Sequence, residues 1–199
     1  MYKVFYNNNF LLISDKSTKC NACLPINIID NSFIDEFTDY SINKNYIFIT
    51  DNIDNALEEL KNHLNYIKAA GGLVLNSKKE ILLIKHYNVW DLPKGWIEEN
   101  EVEKTCALRE ITEECGITKH EIINKLLDTF HIYRYNNQLN LKHTVWFLMQ
   151  YNGNEILIPQ TEEDISDIKW VSIPDLPRYY KNMYGSIIDV LQKYISCKN

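Results

Sequence analysis

The chain has 199 residues, enough for one domain with an appendage or for two small ones. Apolar residues make up 45% and charged residues 24%, the balance of a globular protein with a sizeable core, and no run of about 18 apolar residues offers a membrane span. A net charge of -6 argues against general affinity for nucleic acid or an anionic membrane, and five cysteines in a chain this long suggest reduced thiols and a cytoplasmic location.

Lys3 to Ser14 reads as two short strands around Asn7-Asn8-Asn9. Residues 15–32 are polar and irregular, with Ser32 placed to cap a short helix. Tyr46 to Thr50 is a strand candidate. Asp51 is placed to cap a helix whose apolar residues, Ile53, Ala56, Leu57, Leu60, Leu64 and Ile67, recur in steps of three and four. Residues 1–68 therefore predict a small α/β domain. It is too small to be comfortably stable alone, so it is expected to pack on the rest of the chain or on a second copy. Dimerisation and shaping of a pocket are its candidate roles.

Ala69-Ala70-Gly71-Gly72 marks a boundary, and 69–199 is the second expected domain. Leu73 to Leu75 and Ile81 to Ile84 are strands joined by the polar turn Asn76-Ser77-Lys78-Lys79. A loop from Trp90 to Asn100 leads into a helix over 101–115. Further strands fit 122–135, 141–151 and 168–171, and a last helix fits 184–195. Strands flanked by two helices predict a mixed sheet in an α/β/α sandwich.

The chemistry is concentrated at 95–117. Asn100 followed by Glu103 reads as an N-cap with a carboxylate three positions on, and Gly116 as the residue that ends the helix. Ala107, Leu108, Ile111 and Cys115 form an apolar sector, and Glu110, Glu113 and Glu114 an acidic one. Like charges at these spacings repel, and the helix C-terminus disfavours them; Lys104 is too far back to relieve all three. A divalent cation would relieve the conflict, and oxygen ligands without His or Cys point to Mg²⁺ or Mn²⁺. The bland alternative is a solvated acidic helix end.

The spacing decides between these readings. Gly95, Glu101, Arg109-Glu110, Glu113-Glu114 and Gly116, with apolar Ile111 and Ile117, resemble a complete Nudix box. Seven fixed residues at roughly one in fifteen each come to about one in 10⁸ per start position. Ala70-Gly71-Gly72, Trp90 to Gly95, and Lys169-Trp170-Val171 with Pro174 resemble other parts of the family pattern, which covers about 69–195. The resemblance implies a Nudix α/β/α sandwich with a mixed sheet, preceded by a small α/β N-terminal domain. It also implies a hydrolase that cuts a diphosphate linkage in a nucleotide-like small molecule.

Carried over residue by residue, Glu113 and Glu114 would ligate Mg²⁺ or Mn²⁺. Glu110 would ligate metal or help deprotonate water, and the carbonyl near Lys94 and Gly95 would be a further ligand. Arg109 and Glu101 would pair to tie the loop to the helix. Glu163, ahead of Glu162, is the candidate for the carboxylate that the family draws from a loop before its late Trp strand. Lys85 and Lys142 are candidate phosphate contacts. Tyr87, Trp90, Tyr133, Tyr135 and Trp146 are candidate base-stacking rings, although most aromatics in such a domain are core.

Pro93-Lys94-Gly95 resembles members acting on diadenosine or diphosphoinositol polyphosphates. Dinucleoside polyphosphates and other nucleoside diphosphate-linked compounds therefore lead as substrates, damaged nucleoside triphosphates follow, and capped RNA comes third for want of a basic stripe. A Nudix-fold regulator without turnover is the rival reading; the intact carboxylates argue against it. Cys20-Asn21-Ala22-Cys23 lacks a second pair and reads as coincidence rather than a zinc or redox centre.

Overall fold

The computed structural model describes residues 1–197. In chain order the elements are β1 (Tyr2–Tyr6), β2 (Asn9–Ser14), β3 (Cys23–Ile26), α1 (Asn31–Phe37), β4 (Asn45–Ile49), α2 (Ile53–Asn62) and β5 (Asn65–Leu75). There follow β6 (Ile81–His86), β7 (Val89–Asp91), β8 (Lys94–Trp96), α3 (Glu103–Cys115), β9 (His120–Tyr135), β10 (Gln138–Tyr151), β11 (Ile165–Val171) and α4 (Gly185–Ser196). The chain divides into two compact units: Met1–Ile67 with Thr129–His143, and Lys68–Asp128 with Thr144–Asn199.

In the first unit β1 and β2 form an antiparallel hairpin closed at Tyr6↔Asn9, with Asn7 at φ 52 in the turn. Asn tolerates that left-handed conformation because its short amide bonds locally. β4 runs parallel between β2 and β3. The adjoining ends of β9 and β10 turn through Asn136 and Asn137, at φ 48 and 60, as a two-residue type I′ hairpin requires. β9 then pairs in parallel with β1, Val4 opposite Phe130. Both helices pack on one face of these strands.

The second unit is the expected sandwich. Its strands run in the order β11-β6-β5-β10-β9, with β7 on β6 and β8 on β5. Alternation along the strands sorts the side chains between two helices. Val74, Leu82, Ile84, Phe147 and Met149 meet α3 through Ala107, Ile111 and Cys115. Leu73, Leu75, Ile81, Leu83 and Trp146 meet α4 through Ile187, Val190 and Leu191.

Several expectations are corrected. The hairpin 129–143 belongs with 1–67, so the first unit is not the contiguous segment 1–68. Its place depends on pairing with β1, which no local pattern announces. Ala69 to Gly72 follows directly on the passage from the first unit to the second at Ile67 and Lys68, and it lies within the continuous strand β5 rather than in a linker. Its glycines serve close packing: a Cβ on Gly72 would lie 2.6 Å from Ile111 Cδ1, and one on Gly71 would overlap Pro93 O and Lys94 Cβ. The α2 helix is capped by Asn52, which accepts from Asn55 N–H at 3.0 Å, and Ile67 lies in β5 rather than in the helix. Asp30, not Ser32, caps α1. Cys20 and Cys23 are joined as a disulfide, with Cα atoms 5.4 Å apart, so this pair is neither coincidental nor reduced. Among the described residues no helix is long and apolar enough to cross a membrane.

Candidate active site

The site is built on α3 and the segment that leads into it. The expected Asn100–Glu103 cap does not form. Val102 stands at the N-cap without a side-chain bond, and Asn100 turns the chain at φ 64. The reason lies in Glu101, whose carboxylate is drawn to Arg109 and to Glu98 N–H, so the helix starts only at Glu103. The other end is as expected: Gly116 adopts φ 69 and donates its N–H to Thr112 O at 2.9 Å.

Arg109 is the organising cation. Its Nε and Nη2 donate to the two oxygens of Glu101 at 2.9 and 2.8 Å, the planar fork meeting a carboxylate. Nη1 donates to Glu110 at 2.7 Å and to Glu113 at 2.9 Å, and Nη2 also reaches Trp96 O at 3.0 Å. Arg109 thus ties the entry loop to the helix and relieves two of the three glutamates, a relief the spacing argument had assigned to a divalent cation alone. The bond from Arg109 holds the Glu101 carboxyl below its usual range.

The three box glutamates are not equivalent. Glu110 and Glu114 are 5% and 3% exposed, whereas Glu113 is on the surface. Glu114 accepts from Lys94 N–H at 2.8 Å. The Lys94 ammonium is itself buried and pairs with Asp91 at 2.8 Å. Burial lowers the ammonium's affinity for its proton, but Asp91 and Glu114 outweigh that and hold the charge in place. Burial pushes the Glu114 carboxyl up to about 8, against the opposing pull of Lys94. Burial also raises Glu110, with Arg109 opposing.

Gly95 explains how Glu110 fits. A Cβ at this position would overlap the Glu110 carboxylate, so only glycine lets the loop close on the helix there. The Gly95 carbonyl accepts from the Cys106 thiol at 3.6 Å. Glu163 ends the single turn Thr161–Glu163, which the chain secures to the end of α3 through Ile158 N–H to Cys115 O and Gln160 N–H to Glu114 O. From there the negative charge of Glu163 acts on Glu110.

Among the described residues, no three His, Cys, Asp or Glu side chains are gathered closely enough to hold an ion as they stand. Arg109 engages Glu110 and Glu113, and Glu114 is turned to the Lys94 amide. The donor set nonetheless suits a divalent ion. It is all oxygen, two of its carboxylates are buried where their charge is disfavoured, and Glu163 adds a further negative charge.

The other candidates are dispersed. Lys85 pairs with Trp90 across β6 and β7, its ammonium 5.9 Å from the indole. That ring packs edge-on against Tyr179 in the cluster on the α4 side, so Trp90 acts as packing there. Tyr87 stands 67% exposed at the hairpin tip with φ 46, a conformation costly for a bulky residue. Lys142 and Tyr133 lie together in the first unit, 5.6 Å from ammonium to ring. Trp146 is 1% exposed and belongs to the core. Sequence reading missed the Lys94–Asp91 pair, for which the only signal was a spacing of three between opposite charges. It also missed Trp96, 59% exposed beside Gly95.

The NUDIX domain profile matches residues 65–191. The chain belongs to the Nudix family. It is 27% identical over 154 residues to an RNA pyrophosphohydrolase of Bartonella clarridgeiae, covering 63% of this chain and 89% of that protein. It is 25% identical over 183 residues to Nudix hydrolase 7 of Arabidopsis thaliana, covering 84% of this chain and 62% of that one. In fold, the Nudix region is similar to an Ap4A hydrolase of C. elegans (TM-score 0.52, 22% identity, 65% of this chain and 96% of that one). It is also similar to a MutT protein of Methanosarcina mazei (TM-score 0.55, 19% identity, 68% and 97%). The Nudix domain begins before Ala69, within β5, and the chain is a Nudix-type pyrophosphohydrolase with further residues on its N-terminal side.

Proposed function

We propose that this Nudix protein hydrolyses a diphosphate linkage in a nucleoside diphosphate-linked compound, with dinucleoside polyphosphates as the leading class. The observation that supports this best is the burial of Glu110 and Glu114 beside Glu163, in a frame held by Arg109 and closed by Gly95. Glu110, Glu113, Glu114 and the Gly95 carbonyl would hold Mg²⁺ or Mn²⁺, with Glu163 beside them. When bound, such an ion neutralises phosphate charge and makes water more acidic. Glu110 is the candidate to accept a proton from the attacking water, because burial raises its affinity for one. Arg109 orients it through the 2.7 Å bond, and Lys94 positions Glu114 through its amide. Both are positioning residues, as is Glu101.

A second reading, a substrate at the 5′ end of RNA, is favoured by the name of the Bartonella relative, 89% of whose length is matched. Initial rates of the purified chain with Mg²⁺ on dinucleoside polyphosphates, nucleoside triphosphates, nucleotide sugars, diphosphoinositol compounds and 5′-triphosphate RNA distinguish these classes. Turnover of none of them, with tight nucleotide binding, would instead support a regulator.

A further inference from the structure

A buried ion pair lies beside Gly95. Asp91 ends β7 opposite Ile84 of β6, and its carboxylate is used twice. Oδ1 accepts from Leu92 N–H at 2.7 Å, and Oδ2 holds the Lys94 ammonium at 2.8 Å. The Lys94 and Asp91 side chains are only 9% and 3% exposed, so water screens neither charge well. Taking two charges out of water costs about as much as their attraction returns, which makes such a pair a poor explanation of stability. Removing one partner is a different matter, because the other stays buried and charged. The surroundings give the pair a use. The Lys94 amide donates to Glu114 Oε2 at 2.8 Å, whereas Glu114 Oε1 takes no hydrogen bond among the described residues. Oε1 is therefore the oxygen left to an ion. The Lys94 ammonium is a rival for it, since Glu114 is the carboxylate that acts most on that ammonium after Asp91. A lysine carries its charge on a flexible four-carbon stem, so the charge goes where an acceptor holds it.

We propose that Asp91 is a positioning residue for the metal site: it holds the Lys94 ammonium away from Glu114 and so leaves Glu114 Oε1 to a divalent ion. Asp91 touches neither metal nor substrate and acts through Lys94 alone. The loop from Asp91 to Lys94 thus carries two opposed contacts to one carboxylate. Its amide orients Glu114, and its ammonium would occupy Glu114 were Asp91 not there. This inference rests on the reading of Glu114 as a metal ligand.

The test is Mn²⁺ binding to the full chain, stripped with EDTA and dialysed, with free Mn²⁺ read by electron paramagnetic resonance. Asp91→Asn keeps the size of the side chain and the acceptor for Leu92 N–H but removes the charge. It should bind Mn²⁺ at least about tenfold more weakly than wild type, the effect usual for a residue that orients a metal ligand. A second substitution should reverse the loss. Asp91→Asn with Lys94→Met removes the rival ammonium and should bind Mn²⁺ as tightly as wild type, although it lacks the same carboxylate. A pair with a structural role alone would lower the melting temperature of Asp91→Asn and leave its Mn²⁺ affinity unchanged, and that result would overturn the proposal. So would a double variant that binds as weakly as Asp91→Asn. If Asp91→Asn does not fold, the double variant, which buries neither charge of the pair, is compared with wild type, and a loss of about tenfold overturns the proposal. Glu114→Gln separates this inference from the reading beneath it. If that variant binds Mn²⁺ as wild type does, Glu114 is no ligand and both fall. If it loses Mn²⁺ while Asp91→Asn does not, only the role of Asp91 falls.

Discussion

Inside the fold the Glu114 carboxyl gives up its proton near pH 8 rather than near 4.5, chiefly because burial disfavours the anion. A raised acid favours the folded state while it is neutral. Its contribution is therefore complete below about 4.5 and is lost as pH rises through about 8. In EDTA the melting temperature of wild type should fall across that window more steeply than that of Glu114→Gln. A matching pH dependence in the two proteins would mean that Glu114 does not titrate there. Glu114→Gln should also gain less stability from Mg²⁺, since binding to the folded state contributes RT ln(1 + [L]/Kd). Its turnover should drop by at least about a thousandfold, roughly 4 kcal/mol. Arg109→Ala behaves differently. It leaves Glu101 and the buried Glu110 without their cation, so it should lose on the order of 2 kcal/mol with or without Mg²⁺, read from denaturant unfolding. The identity of these residues was legible because the box spacing is rigid. Their unequal burial was not, since it depends on Lys94 and Asp91 arriving from another segment.

The helix and its entry loop act as one device. Gly95→Ala should push Glu110 aside, because the added methyl takes the place of its carboxylate. A displacement of about 1 Å is worth about a hundredfold in rate, so turnover should fall at least that far while the far-ultraviolet circular dichroism stays the same. Unchanged turnover would mean that the loop is free to move away. At the other end, Gly116→Ala forces a side chain into a left-handed φ and should cost about 1 kcal/mol. The two ends also differ in how far sequence reveals them. The C-terminal end is a local demand of one backbone conformation, and glycine announces it. The N-terminal end is decided by the Glu101–Arg109 pair, eight residues apart, which overrides the local cap. The short strands β7 and β8 were hidden in the same way, since three residues carry no readable alternation.

For the whole molecule, the sandwich of the second unit was legible from its strand pattern and two helices, whereas the composition of the first unit was not. The hairpin 129–143 carries Phe130, Ile132 and Leu141 into a core that also holds Val4, Leu11 and Leu60. A chain beginning at residue 69 would leave those three side chains without β1 and α2. It should therefore be recovered as aggregate or as a species that binds apolar dyes, in contrast to the full chain. A monodisperse, active product would show that the box region needs nothing from residues 1–68.

The same nesting sets an order in time. A chain leaving the ribosome makes its first 67 residues early, but the core they share is complete only when residue 143 has emerged, 76 residues later by the difference 143 − 67. At about 5–20 residues per second the delay is roughly 4–15 s. Through that interval Val4, Leu11, Phe37 and Leu60 await partners that have not yet been translated. Residues 1–67 therefore gain from being shielded during synthesis until 129–143 arrive.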